Sequence, residues 1–254
     1  MAIVYAHRGA SLERPENTLA SFQRALELGA DALETDVHLT ADGAVVACHD
    51  PDGARFGVKR ALATATLSEV QSWDAGAVFV DGRGERPFAG KGHRIPTLDQ
   101  ILGELPKVRL NVDLKAEAPE LVGRFIEVVR RHGAEDRLVA ASFHRAPLRR
   151  LRDAGWRGEI SLARLEFAGA WLIPRLFQRD YPPATRAQIP THTGPFSLST
   201  PRLLAKLRSL GLKVDYWTIN DPEEAKRLVA LGADGIMTDD PGRIVPAVRA
   251  ATTG

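Results

Sequence analysis

The chain has 254 residues, of which 44% are hydrophobic and 26% charged, as in a globular protein with one large core. Its 34 lysines and arginines nearly balance 32 aspartates and glutamates, so nonspecific nucleic-acid binding is not expected. The single cysteine, Cys48, excludes an intrachain disulfide and a cysteine-based zinc site. No secretory leader is visible, and no apolar run reaches the roughly 20 residues that span a bilayer. We expect a cytoplasmic protein without stable membrane insertion, and the sequence leaves its oligomeric state open.

Short apolar runs rich in valine, isoleucine and leucine recur along the chain and predict strands. There are nine, at 3–6, 32–39, 45–49, 108–115, 138–142, 160–163, 187–190, 213–219 and 235–238. The second and third runs are separated by the turn sequence Thr40-Ala41-Asp42-Gly43, which leaves no room for a helix. These two runs are therefore expected to pair as a hairpin.

Helices are predicted most clearly over 17–28, 120–132 and 222–231, where apolar residues recur at three- and four-residue spacing. Each is followed by another predicted strand. This alternation favours a (β/α)8 TIM barrel, somewhat irregular, whose catalytic residues lie at the C-terminal ends of its strands. An open, doubly wound parallel sheet is the alternative.

We predict a single domain over 1–254 with a small insertion, at about 51–94, after the third strand. Glycine- and proline-containing turns there, such as the one at 81–87, interrupt the alternation. The insertion either lies over the barrel mouth and shapes substrate access or is a mobile surface loop. The segment 164–186 matches no motif.

Polar side chains alternate with apolar ones in two of the predicted strands. Glu34 and Asp36 share one face of the second run, and Asn111, Asp113 and Lys115 share one face of the fourth. A parallel strand is normally buried on both faces, and each unpaired buried polar group costs about 1–3 kcal/mol. A functional polar interior is therefore the favoured interpretation.

The chemistry of these residues suggests a metal-assisted reaction of a phosphate group. His7 and the nearby His49 can exchange protons near neutral pH, and Arg8 can bind a phosphate through two parallel hydrogen bonds. The three carboxylates Glu34, Asp36 and Asp113 offer oxygens that suit Mg²⁺ or Ca²⁺. For each carboxylate alone, an ion pair with Arg8 or Lys115 remains the alternative interpretation.

Taken together, these motifs resemble those of the glycerophosphodiester phosphodiesterase family. The matching segments follow one another in the family's order over about 230 residues: His7-Arg8-Gly9, Pro15-Glu16-Asn17-Thr18, Glu34-x-Asp36-Val37, His49-Asp50, Ile95-Pro96-Thr97-Leu98, Asp113-Leu114-Lys115, Ser142-Phe143, Trp217-Thr218-Ile219-Asn220 and Gly235-Ile236-Met237-Thr238-Asp239-x-Pro241. The resemblance implies a TIM barrel with a small insertion after the third strand.

The resemblance also implies site roles. Glu34, Asp36 and Asp113 would bind one divalent cation, Mg²⁺ or Ca²⁺, although many relatives carry glutamate where Asp113 stands. His7 and His49 would be the general acid and base, and Arg8 and Lys115 would hold phosphate oxygens.

In the family's chemistry a glycerol hydroxyl attacks phosphorus and expels the alcohol, and the cyclic phosphate is then hydrolysed to glycerol 3-phosphate. Trp217 resembles the family's aromatic residue that packs on the glycerol, although a plain core tryptophan is about as good an interpretation. No site role is assigned to His38.

The expected substrate is a small phosphodiester such as glycerophosphocholine or glycerophosphoethanolamine. Two alternatives remain. One is a phospholipase of the sphingomyelinase D type, which also pairs two histidines with metal-binding carboxylates. The other is a barrel that binds glycerophosphodiesters without hydrolysing them.

Overall fold

The computed structural model describes residues 1–173 and 184–253. They form eleven strands: β1 (Ile3–His7), β2 (Ala32–Leu39), β3 (Val45–Ala47), β4 (Arg109–Leu114), β5 (Leu138–Ala141), β6 (Glu159–Ile160), β7 (Arg186–Ile189), β8 (His192–Thr193), β9 (Phe196–Ser197), β10 (Lys213–Tyr216) and β11 (Gly235–Thr238). They also form nine α-helices: α1 (Leu19–Glu27), α2 (Leu67–Val70), α3 (Leu98–Glu104), α4 (Pro119–Arg131), α5 (Arg145–Asp153), α6 (Arg164–Leu172), α7 (Pro201–Ser209), α8 (Pro222–Leu231) and α9 (Pro241–Thr253). The segment 164–186, which matches no motif, is thus partly helical, and its residues 174–183 lie outside the described residues.

Eight of the described strands are parallel neighbours in the order β6-β5-β4-β2-β1-β11-β10-β7. The two ends of this series meet through a parallel bridge between Ser161 and Arg186, supported by a 2.9 Å hydrogen bond from Leu162 N to Arg186 O. The sheet is therefore closed. This confirms the predicted TIM barrel over the open sheet, and each predicted run coincides with a strand.

The ninth predicted run is the extra strand outside the barrel. β3 pairs antiparallel with the end of β2, with Val37 opposite Ala47. The turn between them is closed by a 2.9 Å hydrogen bond from Thr40 N to Ala44 O. The predicted hairpin is confirmed, and it carries the chain from the barrel into the insertion.

The three clearest predicted helices are α1, α4 and α8. Thr18 caps α1 by accepting a hydrogen bond from Ser21 N, and Pro119 occupies the first turn of α4. α8 begins after the capping residue Asp221 and ends at Gly232, which has a left-handed backbone. These local signals explain why sequence placed the three helices to within about two residues.

The apolar core lies between the sheet and the helices, as expected where helices cover a parallel sheet. Inside the barrel a polar network replaces apolar packing. Arg186 contacts Asp215 at 2.8 Å and Glu159 at 2.8 Å, and Gln188 donates to Asn111 at 2.9 Å. The buried charges are thus paired, which is what makes their burial tolerable.

The insertion packs around an apolar cluster of its own, which includes Val46, Cys48, Leu62 and Trp73. Its backbone is made of short turns and α2 rather than barrel elements. Because this cluster includes residues of β3 and its extension, the insertion is anchored to the hairpin. No helix among residues 1–173 and 184–253 combines the length and hydropathy needed to cross a membrane.

Candidate active site

The first strand ends in a tight turn that presents His7 and Arg8 at the C-terminal end of the barrel. Arg8 has a left-handed backbone, with φ of 58°, and its N–H donates to both the main-chain and the side-chain oxygens of Glu34. Gly9 follows with φ of 87°, and a Cβ atom there would approach Ser21 Oγ to 2.3 Å. A left-handed non-glycine residue costs about 1–3 kcal/mol, so the contacts to Glu34 hold a strained turn in place.

His7 is held by a carboxylate from the other end of the chain. Its Nδ1 lies 2.7 Å from Asp239 Oδ1, and its Nε2 lies 3.9 Å from Glu34 Oε2. Asp239 also accepts hydrogen bonds from Ser11 Oγ and Asn220 Nδ2. Because a carboxylate only accepts, Nδ1 of His7 carries the proton, and Nε2 faces the carboxylates.

Burial alone would lower the pKa of His7, but Glu34 and the hydrogen bond to Asp239 outweigh it and raise that pKa above its usual value. The same contact lowers the pKa of Asp239 despite burial. The contact between His7 and Asp239 therefore stabilises the charged form of each group relative to the free side chain.

His49 is held in a similar way by its sequence neighbour. Its Nδ1 lies 2.7 Å from Asp50 Oδ1, and its main-chain oxygen contacts Nε2 of the buried His38 at 3.1 Å. Hairpin pairing continues beyond β3, since Cys48 N donates to Asp36 O at 3.0 Å. His49 is thus anchored beside the predicted carboxylates at both its ring and its backbone.

Arg8 turns toward a group of acidic side chains. Its NH1 lies 3.2 Å from Glu16 Oε1, and its Nε lies 3.1 Å from Asp36 Oδ2. Asn17, also left-handed with φ of 54°, donates to Asp36 at 3.2 Å and accepts from Thr35. The Pro-Glu-Asn-Thr motif therefore orients both Arg8 and Asp36.

Lys115 bridges two of the predicted metal ligands. Its Nζ lies 2.8 Å from Asp36 Oδ1 and 2.8 Å from Asp113 Oδ2. The two carboxylates are directly opposite each other in the β2–β4 register. Both ion-pair partners considered from sequence, Arg8 and Lys115, thus contact these carboxylates.

The carboxylates differ in their protonation. Burial, then the charge of Asp36, raises the pKa of Glu34 to about 8. Burial also acts to raise the pKa of Asp36, but Lys115 and Arg8 outweigh it and lower that pKa. Burial raises the pKa of Asp113, although Lys115 opposes it. Asp36, which contacts both cations, is therefore the carboxylate of the three whose charged form is favoured, whereas burial disfavours the charged forms of Glu34 and Asp113.

Two aromatic side chains border the site. Trp217 follows β10, and its ring meets Phe143 edge to face at a centroid distance of 6.0 Å. The ammonium of Lys115 lies 5.5 Å from the Phe143 centroid. Trp217, predicted to line the substrate, is thus connected to the phosphate-binding candidate Lys115 through Phe143, and it also packs against the apolar cluster of Tyr5, Ala32 and Met237.

The eight residues singled out in the sequence occupy one end of the barrel. Four residues without a predicted role each contact one of these eight: Asp239 contacts His7, Glu16 contacts Arg8, and both Asp50 and His38 contact His49. Asp50 and Asp239 belong to motifs that the chain shares with the family, and this was the only sequence feature that could have indicated a role for them. Glu16 likewise stands in the Pro-Glu-Asn-Thr motif, whereas nothing in the sequence pointed to the contact of His38 with His49.

Comparison with known proteins identifies the family. Residues 7–243 match the model of the glycerophosphoryl diester phosphodiesterase family. A glycerophosphodiester phosphodiesterase of Caldanaerobacter subterraneus is 33% identical over 97% of this chain and 98% of its own, and the human lysophospholipase D GDPD1 is 30% identical over 94% and 83%.

Among solved structures, an Oleispira antarctica phosphodiesterase in complex with the product sn-glycerol-3-phosphate superposes with a TM-score of 0.81. It is 26% identical, and the match covers 98% of this chain and 97% of that one. These matches favour the phosphodiesterase interpretation over the sphingomyelinase D alternative. The chain belongs to the glycerophosphoryl diester phosphodiesterase family and is an enzyme that hydrolyses glycerophosphodiesters.

Proposed function

We propose that this enzyme releases glycerol 3-phosphate from small glycerophosphodiesters such as glycerophosphocholine and glycerophosphoethanolamine, with His7 and His49 as general acid and base. The observation that carries the proposal is the pair of imidazoles, each held through Nδ1 by a carboxylate at 2.7 Å. That arrangement fixes the tautomer and turns the opposite ring nitrogen of each histidine away from its carboxylate. Two oriented imidazoles at one site can move two protons in one displacement.

In the proposed first step a glycerol hydroxyl attacks phosphorus, the new O–P bond forms and the bond to the alcohol breaks. His49 accepts the proton of the attacking hydroxyl. His7, whose pKa is raised by Glu34 and Asp239 against the effect of burial, donates its proton to the departing alcohol. Water then opens the cyclic phosphate with the two roles reversed. Arg8 and Lys115 would stabilise charge on the phosphoryl oxygens.

The proposed cofactor is one divalent cation, Mg²⁺ or Ca²⁺, held by Glu34, Asp36 and Asp113. Two features support it: Asp113 Oδ1 is buried without a hydrogen-bond partner, and the pKa of Glu34 is raised to about 8. In the part of the chain that the structure describes, no three acidic, histidine or cysteine side chains are spaced to hold an ion, and Lys115 bridges Asp36 and Asp113. The oxygen donors suit a hard cation in type, but Lys115 bridges two of the carboxylates here, so a cation would have to displace this ammonium; when bound, it would supply Lewis-acid stabilisation of charge on the phosphoryl oxygens.

The test measures glycerol 3-phosphate release from both substrates with Mg²⁺, Ca²⁺ or EDTA. We expect metal-dependent release by the wild type and its loss in Glu34→Ala and His7→Ala. His132→Gln, which alters a histidine paired with Asp99 at the end of α4, is the matched control and should retain activity. Release that is undiminished by EDTA would contradict the cation, and full activity of His7→Ala would contradict the acid–base assignment.

Single-chain lipids are a second substrate candidate. Leu165, Leu172 and Phe196 are 60–69% exposed on α6 and on the β8–β9 hairpin, which follow the C-terminal ends of β6 and β7. An acyl chain could cover these exposed apolar side chains, and the human relative GDPD1 is named lysophospholipase D. Lysophosphatidylcholine should then be cleaved by the wild type, and Leu172→Ser should impair this cleavage more than that of glycerophosphocholine. Equal effects on both substrates would contradict an acyl-chain contact.

A further inference from the structure

The insertion contributes a side chain to the catalytic end of the barrel. Arg55 lies in a short 3-10 turn, Ala54–Phe56, within the insertion. Its NH1 contacts Glu16 Oε1 at 2.5 Å, and its Nε lies 3.5 Å from Asp50 Oδ2. One guanidinium therefore touches the carboxylate that holds His49 and the carboxylate that holds Arg8.

The turn that carries Arg55 is fixed by packing. The ring of Phe56 lies 5.9 Å from that of Trp73, a member of the apolar cluster of the insertion. A Cβ atom on Gly53 would come within 2.9 Å of Val58, so the chain can follow this path only with glycine there. The position of Arg55 is thus set by the folded insertion rather than by a mobile loop.

The contact of Arg55 with Glu16 and Asp50 places one positive charge between two carboxylates. Asp50 contacts His49, and Glu16 contacts Arg8. One carboxylate thus holds a proposed acid–base residue, and the other holds a proposed phosphate-binding residue. Without a cation between them they would repel each other, and Glu16 would compete with Asp36 for Arg8 more strongly. The guanidinium has a planar fork of donors suited to two carboxylates at once, which an ammonium lacks.

We propose that Arg55 is a positioning residue that holds the His49–Asp50 pair and the Arg8–Glu16 pair at a fixed separation. It does not touch the reacting atoms. The insertion is then required for the chemical step itself as well as for shaping access to the site. This inference rests on the proposed roles of His49 and Arg8.

The test compares Arg55→Ala and Arg55→Lys with the wild type. Arg60→Ala is the matched control because Arg60 lies in the same insertion and pairs only with the exposed Glu69 and a main-chain oxygen in the described structure. We expect kcat for glycerophosphocholine to fall about 10- to 100-fold in Arg55→Ala and less in Arg55→Lys, as for other residues that orient a catalytic group. KM should change less than kcat, and guanidinium added to Arg55→Ala should restore part of the rate.

A second readout does not depend on turnover. The ring ¹⁵N shifts of His49 should move in Arg55→Ala and stay in place in Arg60→Ala, since only the first change releases Asp50. If the wild type hydrolyses none of the substrates, the proposed substrates are wrong, whereas these shifts still decide the role of Arg55. Two results would overturn the inference. One is an Arg55→Ala variant with unchanged His49 ring ¹⁵N shifts and a kcat within twofold of the wild type. The other is a decrease of kcat in Arg60→Ala that equals the decrease in Arg55→Ala.

Discussion

Replacing Asp239 with asparagine tests the His7 pair with almost no change of shape. The amide of Asn220 is fixed because its Oδ1 accepts from Thr238 Oγ1 and from Asp239 N, so its Nδ2 must donate to Asp239 Oδ2. An asparagine at 239 therefore has to turn its oxygen toward Asn220 and its NH₂ toward His7 Nδ1. Nδ1 would then have to accept, which selects the other tautomer of a neutral imidazole.

The expected loss follows from this exchange. A hydrogen bond to a charged group contributes about 1.5–3 kcal/mol, which corresponds to a decrease in kcat of about 10- to 150-fold. The pKa of His7, now raised in part by Asp239, should fall. In the proposed mechanism His7 is the proton donor, so the loss of activity at high pH should begin at a lower pH than in the wild type.

Two measurements are combined. One is kcat for glycerol 3-phosphate release over about two pH units on each side of neutrality. The other is an NMR titration of His7 in EDTA. Asp240→Asn is the control, since Asp240 accepts from Arg243 N at the start of α9 and asparagine can cap a helix equally well. An Asp239→Asn variant with kcat within twofold of the wild type, or with an unchanged pKa of His7, would refute the reasoning.

Two further predictions concern the polar network inside the barrel. Burial acts to raise the pKa of Glu159, but hydrogen bonds from Lys213 and Arg186 outweigh it and lower the pKa to about 2, below the unfolded value of about 4.3. The stability that this lowered pKa contributes is present above the pKa of the unfolded chain and is lost as the pH falls toward the folded pKa of about 2. The difference in Tm between the wild type and Glu159→Gln should therefore shrink as the pH is lowered between these two pKa values. A difference in Tm that is constant with pH would contradict this prediction. Arg186→Met should lower the free energy of unfolding by about 3–5 kcal/mol in urea, because it leaves the buried Asp215 without its cation and with only a 3.3 Å hydrogen bond from Gln188. Adding Asp215→Leu should recover part of the loss, and no recovery would contradict the pairing.

Sequence periodicity placed the strands and the hairpin because both depend on local signals, whereas closure of the sheet depends on the non-local bridge between Ser161 and Arg186, which periodicity could not distinguish from an open sheet. β2 alternates polar and apolar residues, and the turn Thr40-Ala41-Asp42-Gly43 allows only a hairpin. The β8–β9 hairpin was missed because two-residue strands are too short to show a pattern. Element boundaries shifted by up to three residues, as where β3 ends at Ala47 rather than at 49 and β10 ends at Tyr216 rather than at 219.

For the site, the sequence supplied the residue types and the faces that they share. It could not supply the partners that hold them. Asp239 is 232 positions from His7 in the chain, and Arg55 lies in an insertion without periodicity. The left-handed backbone at Arg8 was equally invisible, because arginine rarely adopts it and the contacts to Glu34 impose it. Asparagine adopts it more often, but nothing in the sequence marked Asn17 for it.

The pairing of β1 with β11 makes the first and last strands of the barrel neighbours, with Ala6 opposite Thr238. His7 therefore meets Asp239 only after the final strand has inserted between β1 and β10. During synthesis the chain would carry most of the proposed site residues while His7 still lacked its partner Asp239, which comes into place only with β11. Recovery of enzymatic turnover during refolding should accordingly follow the pairing of β11 with β1 in the barrel.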